Sequence, residues 1–107
     1  VPGSPIYDLD RVKVAGARGN LVLTRQVQRD YQELGYGLSD VHECVASLEL
    51  SDYRGVAEYG GVKYDVYHPR YRGPSGCVDE LYVKLAARAE ATVPQAAIAS
   101  FHLQRKG

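Results

Sequence analysis

The residues predict one α+β domain, with helices in the first half of the chain and antiparallel strands in the second. The dividing feature is Gly60-Gly61, because apolar, aromatic and charged residues alternate on both sides of it. A Gly-Gly pair supplies the positive φ angles that a tight hairpin requires, so Glu58 should face Lys63 and Tyr59 should face Val62. Upstream of this hairpin apolar residues recur at helical spacing, whereas downstream they recur at period two. The 107 residues suffice for one modest core and are too few for two, so residues 1–107 are read as a single domain.

Each element follows from its residues. Tyr7 to Ala15 form a short helix opened near Ser4-Pro5, with Leu9, Val12 and Val14 or Ala15 on the buried stripe, closed by Gly16 and Gly19. Leu21, Val22 and Leu23 are too few for a helix and make a short strand. Thr24 caps the next helix, Arg25 to Leu34, in which Val27, Tyr31 and Leu34 share a face and Gly35 stops the chain. Ser39 or Asp40 caps a third helix carrying Val41, Cys44, Val45 and Leu48 on one side. Cys44 is read there as a small core hydrophobe.

Strands are expected at Val56 to Tyr59, Val62 to Tyr67 and Val78 to Ala89. His68 to Gly76, with two prolines and two glycines, is expected to hold no regular structure. The alanine-rich tail has helical propensity, but Pro94 interrupts it and Leu81-Val83-Leu85 alternates with Tyr82-Lys84. Two final strands turning near Thr92 to Gln95 are therefore expected, completing a four-stranded antiparallel meander.

Composition removes several functions. No apolar run approaches the roughly eighteen residues of a membrane span. Cys44 and Cys77 lack Cys-x-x-Cys spacing, and no signal-peptide pattern is present, so a reducing cytoplasm is expected. With no methionine anywhere, Val1 is not the encoded start, and residues 1–4 are read as a processing remnant. His42, His68 and His102 have no partners at zinc-ligand spacing, and no phosphate loop or dinucleotide fingerprint occurs, so no metal or cofactor is expected. Net charge is zero but uneven. Residues 1–53 hold five Lys/Arg against eight Asp/Glu, and residues 54–107 hold eight against five, which makes the sheet half the anion-facing half.

The candidate chemistry lies in the last two strands. If Leu81, Val83 and Leu85 and the set Ala99, Phe101 and Leu103 face the helices, Tyr82, Lys84 and His102 share the outer face. Phenol, ammonium and imidazole together suit acid/base work on a phosphodiester. Attack by a 2′-hydroxyl on the adjacent phosphate needs a base, an acid for the leaving 5′-oxygen and cations for the phosphorane charge. His102 suits the acid or base role because imidazole titrates near neutrality. Tyr82 can donate a proton or stack a base, while Arg54, Arg70, Arg72 and Lys84 can neutralise phosphates. Tyrosine occurs nine times against one Phe and no Trp, which suits base stacking at a wet surface. Plainer roles exist as well: Lys63 opposite Glu58 suits a hairpin ion pair, Arg70 and Arg72 suit a solvated loop, and Tyr31 and Tyr64 suit the core or its margin.

Val12-Lys13, Thr24-Arg25, Glu33-Leu34-Gly35, Leu48, Ser51-Asp52-Tyr53, Asp65-Val66-Tyr67, Pro69-Arg70, Tyr82-Val83-Lys84 and Ser100-Phe101 carry a resemblance, in order and spacing, that covers nearly the whole chain. It is a resemblance to the MqsR-type messenger-RNA interferase toxins, small endoribonucleases with a RelE-like fold. The likeness implies N-terminal helices packed on a mainly antiparallel sheet of four to six strands, metal-independent cleavage of messenger RNA, and restraint by a cognate antitoxin. It also implies a catalytic set on the sheet. The family's strand Tyr and the Lys two residues on are matched by Tyr82 and Lys84. The Lys after the Ser-Asp-aromatic segment falls at Gly55, beside Arg54. The Gln before Asp-Val-Tyr falls at Tyr64, beside Lys63, and the last-strand Lys becomes His102. The set implied here is Tyr82, Lys84, Lys63 and His102 for catalysis, with Arg54, Arg70, Arg72 and Tyr64 toward RNA. The alternative is a non-catalytic module that keeps the fold and binds RNA or protein.

Overall fold

Residue pattern and architecture meet first at the Gly60-Gly61 hairpin. Strand β2 (Tyr53–Tyr59) runs into the turn and β3 (Val62–Tyr67) runs out, with Glu58 opposite Lys63 and Tyr59 opposite Val62. Both turn glycines have positive φ, 61° and 79°. The computed structural model describes residues 3–88 and 92–104, so Val1 and Pro2, part of the supposed remnant, and Ala89, the expected end of a strand, lie outside the described residues.

Three helices precede the hairpin among the described residues: α1 (Leu9–Ala17), α2 (Arg25–Glu33) and α3 (Leu38–Ala46), with β1 (Leu21–Leu23) between the first two. Thr24 caps α2 as its hydroxyl chemistry suggests, accepting from the Val27 N–H at 3.1 Å. The other two helix starts differ from expectation. Asp8, and not the Ser4-Pro5 region, caps α1, its carboxylate accepting from Asp10 N at 2.9 Å. The third helix begins at Leu38, ahead of both proposed caps. Asp40 acts from inside the first turn, accepting from Gly37 N at 2.8 Å. Helix α1 also runs through Gly16, because it crosses α3 there and a Cβ on Gly16 would stand 2.7 Å from Ala46 N.

The sheet is mixed. Strand β5 (Val78–Ala87) lies at its centre, antiparallel to β3 on one side and to β6 (Ala96–Leu103) on the other. The order is β1-β6-β5-β3-β2, with β1 added parallel to β6. The expected meander is thus present and extended at one edge. Asn20 secures that edge by donating to Pro94 O at 2.7 Å and accepting from Ala96 N at 3.3 Å. The expectation of an unstructured His68–Gly76 segment is corrected: β4 (Arg70–Arg72) pairs with β5, setting Arg70 opposite Glu80 and Arg72 opposite Val78. Two prolines and two glycines bend the segment, yet Tyr71 is buried, and its hydroxyl donates to Asp40 at 2.8 Å, which holds the strand in place.

One buried cluster joins Val12, Val27, Tyr31, Val41, Cys44 and Leu48 of the helical half to Tyr67, Leu81, Val83, Leu85, Ile98 and Phe101 of the sheet. Cys44 belongs to it, and burial pushes its thiol up to about 12. The last strand keeps its inner face through a bulge. Lys84 pairs with Ser100 and Leu85 with Ile98, which leaves Ala99 as the extra residue. The expected inward set Ala99, Phe101 and Leu103 is corrected accordingly: Ile98 and Phe101 are buried, whereas Leu103 is exposed.

Asp65 is fully buried and was not anticipated. Its carboxylate accepts from the backbone N–H groups of Ile6 at 3.0 Å and Tyr7 at 2.9 Å, tying the N-terminal segment to the sheet. Hydrogen bonds to a charged acceptor are the stronger kind, and deleting the acceptor strands two donors. Asp65→Ala should therefore lower the unfolding free energy by about 3 kcal/mol in a urea titration. An unchanged midpoint would show that water replaces the carboxylate freely.

Candidate functional site

Tyr82 sits at the middle of the outer sheet face, directly opposite His102 across the β5–β6 ladder. Their rings stack with centroids 5.1 Å apart and planes 9° from parallel. On the other side of β5, the register of β3 runs without a slip into that of β4, so His68, the residue after Tyr67, also falls beside Tyr82. The His68 and Tyr82 rings are 5.5 Å apart. Pro69 offers no N–H to the ladder, which breaks the regular strand here, but its carbonyl still accepts from Leu81 N at 2.9 Å. The result is a row of three rings, His68 from the β3–β4 junction, Tyr82 from β5 and His102 from β6, in a cleft of about 490 Å³ completed by Lys84, Ser100 and Gln104.

Hydrogen bonds orient both imidazoles. Nδ1 of His102 lies 2.8 Å from Leu103 O, and because a carbonyl only accepts, Nδ1 carries the proton. In the neutral ring Nε2 is then a bare lone pair. The side-chain amide nitrogen of Gln104 lies 3.0 Å from Nδ1 of His68; because an amide N–H donates, Nδ1 accepts and the proton of the neutral ring sits on Nε2, the reverse of His102. Burial lowers the His68 pKa, and the Arg54 charge lowers it further.

Arg54 comes to this side through a second bulge. Tyr53 pairs with Tyr67 and Gly55 with Val66, leaving Arg54 as the extra residue, while Gly55 takes φ 138°, a value that L side chains rarely adopt. The slip also turns Tyr53 inward onto Tyr67, with ring centroids 5.5 Å apart. The guanidinium donates to Ser51 O at 2.9 Å and Tyr53 O at 3.1 Å, so it is partly preorganised.

Lys84 stands one row further along the face. Its ammonium lies 5.3 Å from the Tyr64 ring centroid and 5.6 Å from that of Tyr59, a double cation–π contact that holds the charge over the cleft. A phosphate arriving there meets a cation already partly stripped of water. Arg70 is exposed and lies 3.5 Å from Glu80, and Arg72 donates to Gly76 O, so both are tied within the β4 region rather than in the cleft lining. Lys63 is on the opposite face, in the alternating set with Asp65 and Tyr67, and does not meet the row of rings. Among the eight residues singled out from the sequence, the structure brings Tyr82, Lys84 and His102 into one cleft, with Tyr64 against Lys84 and Arg54 within electrostatic reach.

Comparison with known proteins gives the family. The family model described as motility quorum-sensing regulator, toxin of MqsA, matches residues 4–103. The chain belongs to this MqsR toxin family. No curated protein sequence matches it significantly. Family membership makes it a toxin of the toxin–antitoxin type. No helix among the described residues is long and apolar enough to cross a membrane.

His68, Ser100 and Gln104 were not singled out for this toxin's cleft. The signal was present at His68: Tyr64, Val66 and His68 continue one outward alternation, and only the following Pro69 ended the expected strand. The electrostatic coupling to Arg54 can be measured. Arg54→Gln removes a positive charge beside His68, which favours the imidazolium, so the His68 midpoint in an NMR titration should rise toward 6.5. An unmoved His68 would mean that burial alone sets its value.

Proposed function

We propose that this protein is a metal-independent endoribonuclease toxin that cleaves messenger RNA through the outer face of its sheet. The supporting observation is His102 stacked on Tyr82, with Nδ1 engaged by Leu103 O and Lys84 in the same cleft. In this reading His102 Nε2 takes the proton of a 2′-hydroxyl, the 2′-oxygen attacks phosphorus, and the bond to the 5′-oxygen breaks as that oxygen takes up a proton from a second acid. The products are a 2′,3′-cyclic phosphate and a 5′-hydroxyl, and no metal is needed to balance the step. Lys84 and Arg54 neutralise the charge that accumulates on the phosphorane, while Tyr82, Tyr64 and Tyr59 offer ring faces to neighbouring bases. Arg70 and Arg72 lead RNA along β4, and Lys63 serves the hairpin edge instead of the chemistry.

The toxin family supplies the biological frame. In the reading proposed here the protein acts in the cytoplasm, its fold is of the RelE-like kind, and a cognate antitoxin holds it inactive; the family description, toxin of MqsA, supports the antitoxin partner. A module that binds RNA or protein without cutting is the competing reading, prompted by the family positions that now hold Gly55, Tyr64 and His102.

Incubation with a defined messenger RNA in excess chelator decides between them. Cleavage should proceed and leave 2′,3′-cyclic phosphate ends, and His102→Ala should slow it about 10²- to 10⁴-fold, the usual contribution of a general base. Intact RNA at stoichiometric protein, with binding that weakens steeply as salt rises, would instead support the binding module.

A further inference from the structure

We infer that His68 is the second catalytic group of this cleft, the acid that protonates the leaving 5′-oxygen; this rests on the endoribonuclease reading above. In-line displacement places the entering 2′-oxygen and the departing 5′-oxygen on opposite sides of phosphorus, so one imidazole cannot serve both ends of a single step. The cleft offers two. His102 from β6 and His68 from the β3–β4 junction flank Tyr82, with ring centroids 5.1 Å and 5.5 Å from the phenol. Each has Nδ1 occupied, by Leu103 O and by Gln104, which leaves Nε2 of each as the atom available to a substrate lying over Tyr82.

The two rings differ in surroundings, and the difference separates their roles. The charged and titratable groups around His68 are Arg54 from the β2 bulge, Tyr82 and Lys84 from β5, and His102 from β6, with the neutral Gln104 at its Nδ1. Asp52, whose carbonyl accepts from His68 N at 2.8 Å, turns its carboxylate to Glu49 N. Among the described residues no carboxylate lines the cleft. The nearby Arg54 cation makes a protonated His68 a readier proton donor. A bound phosphodiester offsets that cation and helps keep His68 protonated until the transfer. The acid form carries protons on both ring nitrogens, so the Gln104 side chain turns its amide to present Oε1 to Nδ1–H. The step then balances: the proton on Nε2 of His68 passes to the 5′-oxygen as the P–O5′ bond breaks, His68 ends neutral with its proton on Nδ1, and His102 ends protonated. Solvent then returns a proton from the second ring to the first.

Substitution of the leaving group tests this assignment. A dinucleotide with sulfur in place of the bridging 5′-oxygen releases a thiolate, which needs no proton, and is compared with the ordinary oxygen substrate. His68→Ala and His68→Gln should cut the oxygen substrate about 10²- to 10⁴-fold more slowly than the parent but cut the sulfur substrate at close to the parent rate. The alkaline limb of the parent pH–rate profile should disappear in both variants. His102→Ala should be slow on both substrates, because the 2′-hydroxyl still needs a base. Equal losses on the two substrates, or no loss on the oxygen one, in variants that keep the parent's thermal midpoint, would remove His68 from the acid role while leaving the nuclease reading intact. A parent that cuts neither substrate would overturn the nuclease reading itself.

Discussion

The register between β5 and β6 is the constraint on which both the core and the cleft depend. Ile98 and Phe101 are three residues apart, an odd spacing that a regular strand would send to opposite faces. The bulge at Ala99 absorbs the extra residue, so both side chains reach the core, against Leu85 and Val83. The same shift turns Ser100 and His102 outward beside Lys84 and Tyr82. Burial of two large apolar groups, worth roughly 1.5–3 kcal/mol each, thereby fixes the position of an imidazole against a phenol on the far side of the sheet. Slipping the ladder by one residue would exchange His102 for Phe101 and lose both.

A comparable device operates at the other edge of the cleft. Arg54 is the extra residue of the β2 bulge, and the same slip buries Tyr53 on Tyr67. Between the two bulges, β3 carries its register through the His68–Pro69 break into β4, where Tyr71 is anchored by Asp40 and Glu43 of α3. Each group in the row of rings is thus held by a buried residue next to it in the chain. Two imidazoles and a phenol lie side by side on the outer face of the sheet.

Much of this was legible in the sequence where one local rule decided the outcome. Gly60-Gly61 set the hairpin register, Thr24 capped α2, and the alternation from Leu81 to Lys84 outweighed the helical propensity of the alanines. What escaped depended on contacts distant in sequence. Nothing local says that β1 will pair parallel to β6 or that Asp65 will be buried around the amides of Ile6 and Tyr7. The Pro-Gly content of residues 68–76 argued against a strand, but a partner strand and a buried tyrosine hydroxyl make β4 favourable despite it. His68 was passed over for the same reason, although the alternation through Tyr64 and Val66 pointed to it. The bulge at Ala99 could have been read from the Ile98 to Phe101 spacing, yet assigning every second residue inward hid it.

We propose that RNA meets the protein on the row His68, Tyr82 and His102. An RNA oligonucleotide whose 2′-hydroxyls are methylated binds without reacting, and its effect can be followed on the imidazole signals by NMR. The His68 and His102 ring resonances should shift first and most, with His42, on helix α3 away from the cleft, unmoved. Shifts at His42 with the other two rings unaffected would place the RNA on the helical side and contradict it.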